Sequence, residues 1–157
     1  MNTSNVTTGA YIGSDMYTTN LEAYRTTITT DFGSSHILSH KEYFSNAVTS
    51  EYESAGAWYD STVDLMSEIM VYGCNIFHNV MNGTNRPNNV TIDKRQLSLF
   101  RLDQSKIIAL NNNGTRQGYW LRDVASSSNF TVVSAIGICT YSGASITPGI
   151  RPAFLIY

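Results

Sequence analysis

Gly118-Tyr119-Trp120-Leu121-Arg122 is answered later in the chain by Gly149-Ile150-Arg151-Pro152-Ala153-Phe154. Each stretch sets bulky apolar residues beside one arginine, which reads as a buried strand whose cation must find a partner inside the fold. Between them, Phe130 to Ser134 and Ile136 to Tyr141 are two further short apolar runs, separated by Ser/Asn or Gly/Pro breaks. The last quarter of the chain therefore reads as a meander of four strands, Tyr119 to Arg122, Phe130 to Ser134, Ile136 to Tyr141 and Ile150 to Ile156.

Upstream the spacing changes. Leu21, Tyr24 and Ile28 recur at helical intervals behind a Thr19-x-x-Glu22 capping box, and Gly33 offers a stop, which predicts a first helix of about three turns. From Ser35 to Val48 we expect a pair of short strands with a turn at Lys41-Glu42. Gly56 to Asp60 predicts another strand, running into a second helix capped at Ser61-x-x-Asp64, with Val63, Met66 and Met70 on one face and Gly73 at its end. Cys74 to Phe77 reads as an extended exit and residues 81–91 as a surface loop. Gln96 to Leu102 and Ile107 to Leu110 are two more apolar clusters, and Asn111-Asn112-Asn113-Gly114 predicts a hairpin tip. Helices first and strands last give an α+β domain. Its expected limits are 9–157, with residues 1–8 a polar lead-in or linker.

At 157 residues and 42% hydrophobic content the chain suits one domain with one core. Only 14% of residues are charged and the formal net charge is -2, without a Lys/Arg run, so nucleic acid is not an expected partner. No apolar run approaches the roughly 20 residues of a membrane helix, so no membrane insertion is expected. The first residues lack the basic and apolar regions of a secretory signal. Cys74 and Cys139 read as two buried thiols of a protein made in a reducing cytoplasm. The Asn82-Gly83-Thr84, Asn89-Val90-Thr91 and Asn129-Phe130-Thr131 sequons are attributed to the abundance of Asn and Thr.

Four motifs in order resemble the family of C-type-lectin-like domains found in phage structural proteins and bacterial surface proteins. They are Gly9-Ala10-Tyr11-Ile12-Gly13-Ser14-Asp15-Met16, then Leu65-Met66-Ser67-Glu68-Ile69-Met70-Val71-Tyr72-Gly73, then Leu97-Ser98-Leu99-Phe100-Arg101-Leu102, and finally the Tyr119-Trp120-Leu121-Arg122-Asp123 and Gly149-Ile150-Arg151-Pro152 pair. The resemblance implies a C-type-lectin-like fold, two helices packed on a twisted, mainly antiparallel sheet with a C-terminal strand meander. It also implies a non-enzymatic module on the surface of a phage virion, as a tail, fibre or other structural protein. The implied partners are a host bacterial surface receptor, glycan or protein, and other virion proteins, with a homo-oligomeric parent; the alternative is a capsid or baseplate decoration domain that makes only virion contacts.

Chemistry-bearing patterns are sparse. His36 and His40 have metal-ligand spacing only on a helix, and His78 is isolated. No Gly-x-Ser-x-Gly elbow occurs, and Cys139 lies in what reads as a strand interior. Arg86-Pro87-Asn88 carries arginine where a calcium-dependent lectin loop has a carboxylate or amide, and no loop gathers several carboxylates for calcium. We therefore expect no catalytic residue, no metal and no cofactor. Glu68, Trp120, Arg122, Arg151 and Pro152 form the structural signature, with the arginines tied to Glu68, Asp123 or backbone carbonyls. A ligand surface is expected on the late polar loops, at Ser127, Asn129, Tyr141 and Ser142, where a stiff amphipathic ring sits among adaptable hydrogen-bonding groups.

Overall fold

The computed structural model describes residues 1–45, 48–49, 52–53, 56–77 and 96–157. The loop expected at 81–91, with its two sequons, Arg86-Pro87-Asn88 and His78, lies outside them. The architecture is α+β, with short helices and small antiparallel sheets. Helix α1 (Leu21–Phe32) is followed by β1 (His40–Ser45), which pairs with β4 (Gly56–Ser61); the two-residue strands β2 (Val48–Thr49) and β3 (Tyr52–Glu53) lie between them and pair with each other. Strand β5 (Val63–Leu65), α2 (Glu68–Tyr72) and α3 (Ser98–Leu102) come next. The small hairpin of β6 (Ala109–Leu110) and β7 (Arg116–Gln117) precedes the meander β8 (Tyr119–Val124), β9 (Asn129–Val133) and β10 (Cys139–Gly143); β11 (Pro152–Phe154) closes the fold on β5.

The three-stranded sheet β10-β9-β8 sits between two core clusters. Trp120, Val124, Phe130 and Val132 belong to one cluster with Tyr11, Leu21, Phe44 and Leu65, whereas Tyr119, Leu121, Val133 and Cys139 belong to the other with Met66, Val71 and Phe100. Side chains alternate across a strand, so a strand with core on both faces is buried throughout, and any charged residue in it must find a partner inside the fold. Every residue of β8 is indeed buried. The hairpin tip also forms as expected: the Asn111 side-chain oxygen accepts from the Asn113 and Thr115 amides at 3.0 Å each, and Gly114 takes the positive φ of 74° that the turn requires.

The N-terminal half departs from the expected elements in four places. Helix α1 is not opened by a capping box at Thr19 and Glu22; a π-helical turn over Met16–Asn20 runs into it, and the Ser14 hydroxyl accepts from the Tyr17 amide at 3.2 Å. Lys41 and Glu42 lie inside β1 rather than in a turn between two strands. Val63–Leu65 is strand, not helix, because its backbone pairs with β11 and all three side chains are buried. Helix α2 starts only at Glu68, where Ser67 caps it by accepting from the Met70 amide at 3.2 Å, and ends at left-handed Gly73.

Residues 1–8 pack onto the domain. Met1 joins the first core cluster, the Asn2 amide donates to the Ala144 carbonyl at 2.8 Å, and the buried Thr7 hydroxyl donates to the Ser126 carbonyl at 2.8 Å. A further substitution of side chain for backbone occurs on β5. The register partner of Leu65 is Pro152, which has no amide hydrogen to offer the Leu65 carbonyl, and that carbonyl accepts from the Arg122 guanidinium at 3.5 Å while the Leu65 amide donates to the Tyr11 hydroxyl at 3.0 Å. Among the described residues no helix is long and apolar enough to cross a membrane.

Candidate functional site

Strands β1, β4, β5 and β11, helix α2 and Arg122 of β8 converge on a cleft of about 570 Å³. That volume lies within the range of roughly 300–1,000 Å³ typical of ligand clefts. His40 and Ser61 are register partners across the β1/β4 hairpin, and Glu42 lies on the same face, two residues along from His40. Asp64 of β5 and Arg122 complete the polar floor, with Leu65, Met70, Leu97, Ala153, Phe154 and Leu155 as apolar walls. Trp58 and Lys41, from the hairpin's other face, also line the cleft. The Trp58 ring is 40% exposed and is braced edge-on by buried Tyr43 at a centroid distance of 5.6 Å, so it is held as a rigid, accessible apolar plate.

The charges of the floor are tied to one another. The Arg122 guanidinium meets the Glu42 carboxylate at 2.8 Å, both side chains being buried, donates to the Leu65 carbonyl at 3.5 Å and lies over the Phe44 ring at 4.8 Å. His40 Nε2 stands 3.5 Å from the same carboxylate. Asp64 accepts from the Tyr11 hydroxyl at 2.9 Å and from the Ser61 hydroxyl, and pairs with Arg25 at 3.5 Å. Burial and the neighbouring Asp64 carboxylate together push the Tyr11 hydroxyl well above its ordinary pKa, so it remains a donor. No hydrogen bond joins His40 to Ser61, whose proton is directed at Asp64. The polar groups of the floor are thus held in place by one another.

A second buried centre surrounds Glu68. Its carboxylate accepts the Ile76 amide at 2.7 Å, the Phe77 amide at 3.1 Å and the Cys139 thiol at 3.6 Å, while the Glu68 amide donates to the Asp123 carboxylate at 2.6 Å. Burial, with the Glu68 carboxylate next to it, pushes the Cys139 thiol up, which suppresses the thiolate a nucleophile needs. Cys74, expected to be buried, is exposed; like Cys139 it is free.

Of the residues expected to be structural, Glu68, Trp120 and Arg122 are buried, and both arginines are hydrogen-bonded within the fold. Trp120 is fully buried, Pro152 opens β11, and the Arg151 guanidinium donates to the Lys106 carbonyl at 2.8 Å and the Ile107 carbonyl at 3.3 Å. Arg122, however, is paired with Glu42 rather than Glu68 or Asp123. Glu68 is occupied by the Ile76 and Phe77 amides and the Cys139 thiol of β10, and Asp123 by the Glu68 amide, while the guanidinium meets the hairpin.

The four residues expected to bind ligand are not gathered on one surface. Asn129 and Tyr141 share a face of the β9/β10 pair, and Ser142 points to the other, alongside its register partner Phe130. Tyr141 is 52% exposed and packs edge-on against Phe77 at 5.2 Å. The Asn129 side chain donates to the Ser126 hydroxyl at 2.9 Å within its own turn, where Ser127 is exposed. His36 sits in a 3-10 turn and His40 on β1, so the two do not share a helix face. Among the described residues no group of three or more His, Cys, Asp or Glu side chains is placed to hold a metal ion. The cleft residues His40, Glu42, Trp58 and Asp64 had no motif to announce them; the Trp58 strand and the His40-x-Glu42 alternation on β1 were the only signals available.

The fold and cleft thus define an α+β domain with an aromatic-edged pocket over a self-paired polar floor. Residues 65–157 match the family described as Domain of unknown function (DUF6273), and the chain belongs to that family. No curated protein and no solved structure matches it.

Proposed function

We propose that this chain is a non-enzymatic, C-type-lectin-like binding module displayed on the surface of a phage virion, where it engages a glycan or protein receptor of the host bacterium. The observation that carries the binding reading is the Trp58 cleft. A half-exposed, braced indole beside a polar floor suits the stacked apolar face and hydroxyl edges of a sugar. The virion setting rests on the resemblance of the ordered motifs described above. The non-enzymatic reading draws support from the Ser61 proton held by Asp64 and from the buried, protonated Cys139. Attachment would be multivalent, weak single contacts adding up across the copies of a homo-oligomeric parent. Ser127, Asn129 and Tyr141 extend the candidate surface at a second place on the domain, with Ser142 on the opposite face.

The test is binding of the fluorescently labelled chain, as monomer and as forced multimer, to a panel of bacterial cells and their wall glycans. Selective binding that strengthens on multimerisation and disappears in Trp58→Ala is the expected result. Binding unchanged by Trp58→Ala would remove the cleft from the proposal. Silence toward every cell, including the host, would favour the second reading, a virion decoration domain. That reading has its own observation, the exposed apolar run Leu155-Ile156-Tyr157 at the end of β11.

A further inference from the structure

Arg151 lines a separate cleft of about 300 Å³, away from Trp58, formed by β6, β7 and the close approach of Gly118 to Gly149. Its protein hydrogen bonds all come from one nitrogen: Nη1 donates to the Lys106 and Ile107 carbonyls and lies 3.4 Å from the Tyr119 hydroxyl. The guanidinium carbon lies 5.2 Å from the centroids of both Phe100 and Tyr119, so the group is anchored and stacked. Among the described residues Nε and Nη2 make no hydrogen bond, and no carboxylate lies within ion-pair distance. No acidic residue is among the described residues that line the cleft. Gln117 lies over Gly149, its carboxamide carbon 3.4 Å from where a Gly149 Cβ would be, and that amide also has no protein partner.

We propose that this cleft is an anion site that takes the carboxylate of an acidic sugar, bidentate on Nε and Nη2 of Arg151, with the Gln117 amide bonding to an adjacent hydroxyl. A guanidinium edge with two parallel donors matches a carboxylate, and anchoring through Nη1 spares most of the ordering cost of binding. The absence of a protein counter-ion leaves the ligand to supply it. The choice of a sugar rests on the binding-module reading; the site itself does not.

The experiment is an NMR titration of the whole chain with glucuronate, glucose, acetate and inorganic phosphate, following Arg151 Nε–H and the Gly118 and Gly149 amides. We expect saturable shifts with glucuronate, weaker ones with acetate and none with glucose. Gln117→Glu, an exposed substitution that places a carboxylate beside Arg151, is expected to weaken glucuronate at least tenfold without unfolding the domain. Gly149→Ala, whose methyl would press on the Gly118 carbonyl at 3.1 Å and on the Gln117 amide at 3.4 Å, is expected to weaken it less. An unresponsive Arg151 Nε–H at high glucuronate, equal responses to glucose, a preference for phosphate over glucuronate, or full affinity in Gln117→Glu would each overturn the proposal. Cell binding that survives Gln117→Glu alongside a silent glucuronate titration overturns this inference and leaves the binding-module reading intact. A glucuronate response in a chain that binds no cell supports the inference and overturns that reading.

Discussion

Glu42 and Glu68 are both buried carboxylates, but they are satisfied in opposite ways. Glu42 meets the guanidinium of Arg122, 80 positions away, and so ties the β1/β4 hairpin to the central strand β8. Glu68 takes its shortest hydrogen bonds from the Ile76 and Phe77 amides, eight and nine positions ahead, with the Cys139 thiol at 3.6 Å beyond them, and so chiefly shapes the exit of its own helix. The first arrangement decides where one part of the molecule docks on another; the second decides the path of a few residues. A buried charge must be compensated in either case, yet the reach of its partner determines whether its loss is felt globally or locally.

Breaking the long-range pair should have the larger effect. Arg122→Ala leaves the Glu42 carboxylate buried without its guanidinium, and a loss of about 3–5 kcal/mol is expected in urea denaturation. Replacing both partners by apolar residues, Glu42→Leu with Arg122→Met, should recover most of it, and failure to do so would mean the pair is needed for more than charge balance. Glu68→Gln should cost about 1–3 kcal/mol, because one amide now faces a donor instead of an acceptor. Its signature is local: hydrogen exchange at Ile76 and Phe77 quickens, and alkylation of Cys139 speeds up relative to that of exposed Cys74. Ser67→Ala, which removes only the cap in front of Glu68, should cost about 1 kcal/mol and leave the β1/β4 hairpin untouched.

The gentlest test is alkaline pH. Burial raises the Cys139 thiol above its ordinary 9.0, and burial likewise raises the Tyr11, Tyr72 and Tyr119 hydroxyls above their ordinary 10.0. Above about pH 9 the unfolded chain releases protons that the folded chain keeps, so these four groups leave stability unchanged at lower pH and make it fall steadily above that pH. A thermal-melt series from pH 7 to 11 checks this. Cys139→Ala should delay the onset of the decline toward the tyrosine range, provided the variant folds.

What could be read from the sequence follows the same division between near and far. Strands β8 and β9, the turn at Asn111 to Gly114 and the stop at Gly73 depend on adjacent residues, and each was legible. Val63–Leu65 was misleading because Val-x-x-Met spacing suits a helix, and only the distant β11 makes it a strand. The second helix was expected to open at Ser61, but Ser61 is engaged with Asp64 and the cap is supplied by Ser67, six residues on. The choice of Glu42 for Arg122 left no local trace, since Glu68 and Asp123 were equally plausible carboxylates until their own donors were known. The Trp58 cleft was illegible for a related reason, as its lining comes from segments scattered from His40 to Leu155.

Strand β5 takes its partner from β11, among the last residues of the sequence, and Thr7 takes its partner from Ser126, 119 positions on. During synthesis, therefore, the N-terminal third emerges from the ribosome with its closing contacts still unmade. Local helices and the hairpin can form at once, but the core around Leu65 and Tyr11 must wait for the C-terminal strand. Such a chain is expected to fold late and slowly, and to be most vulnerable to proteases and aggregation while it is still being made.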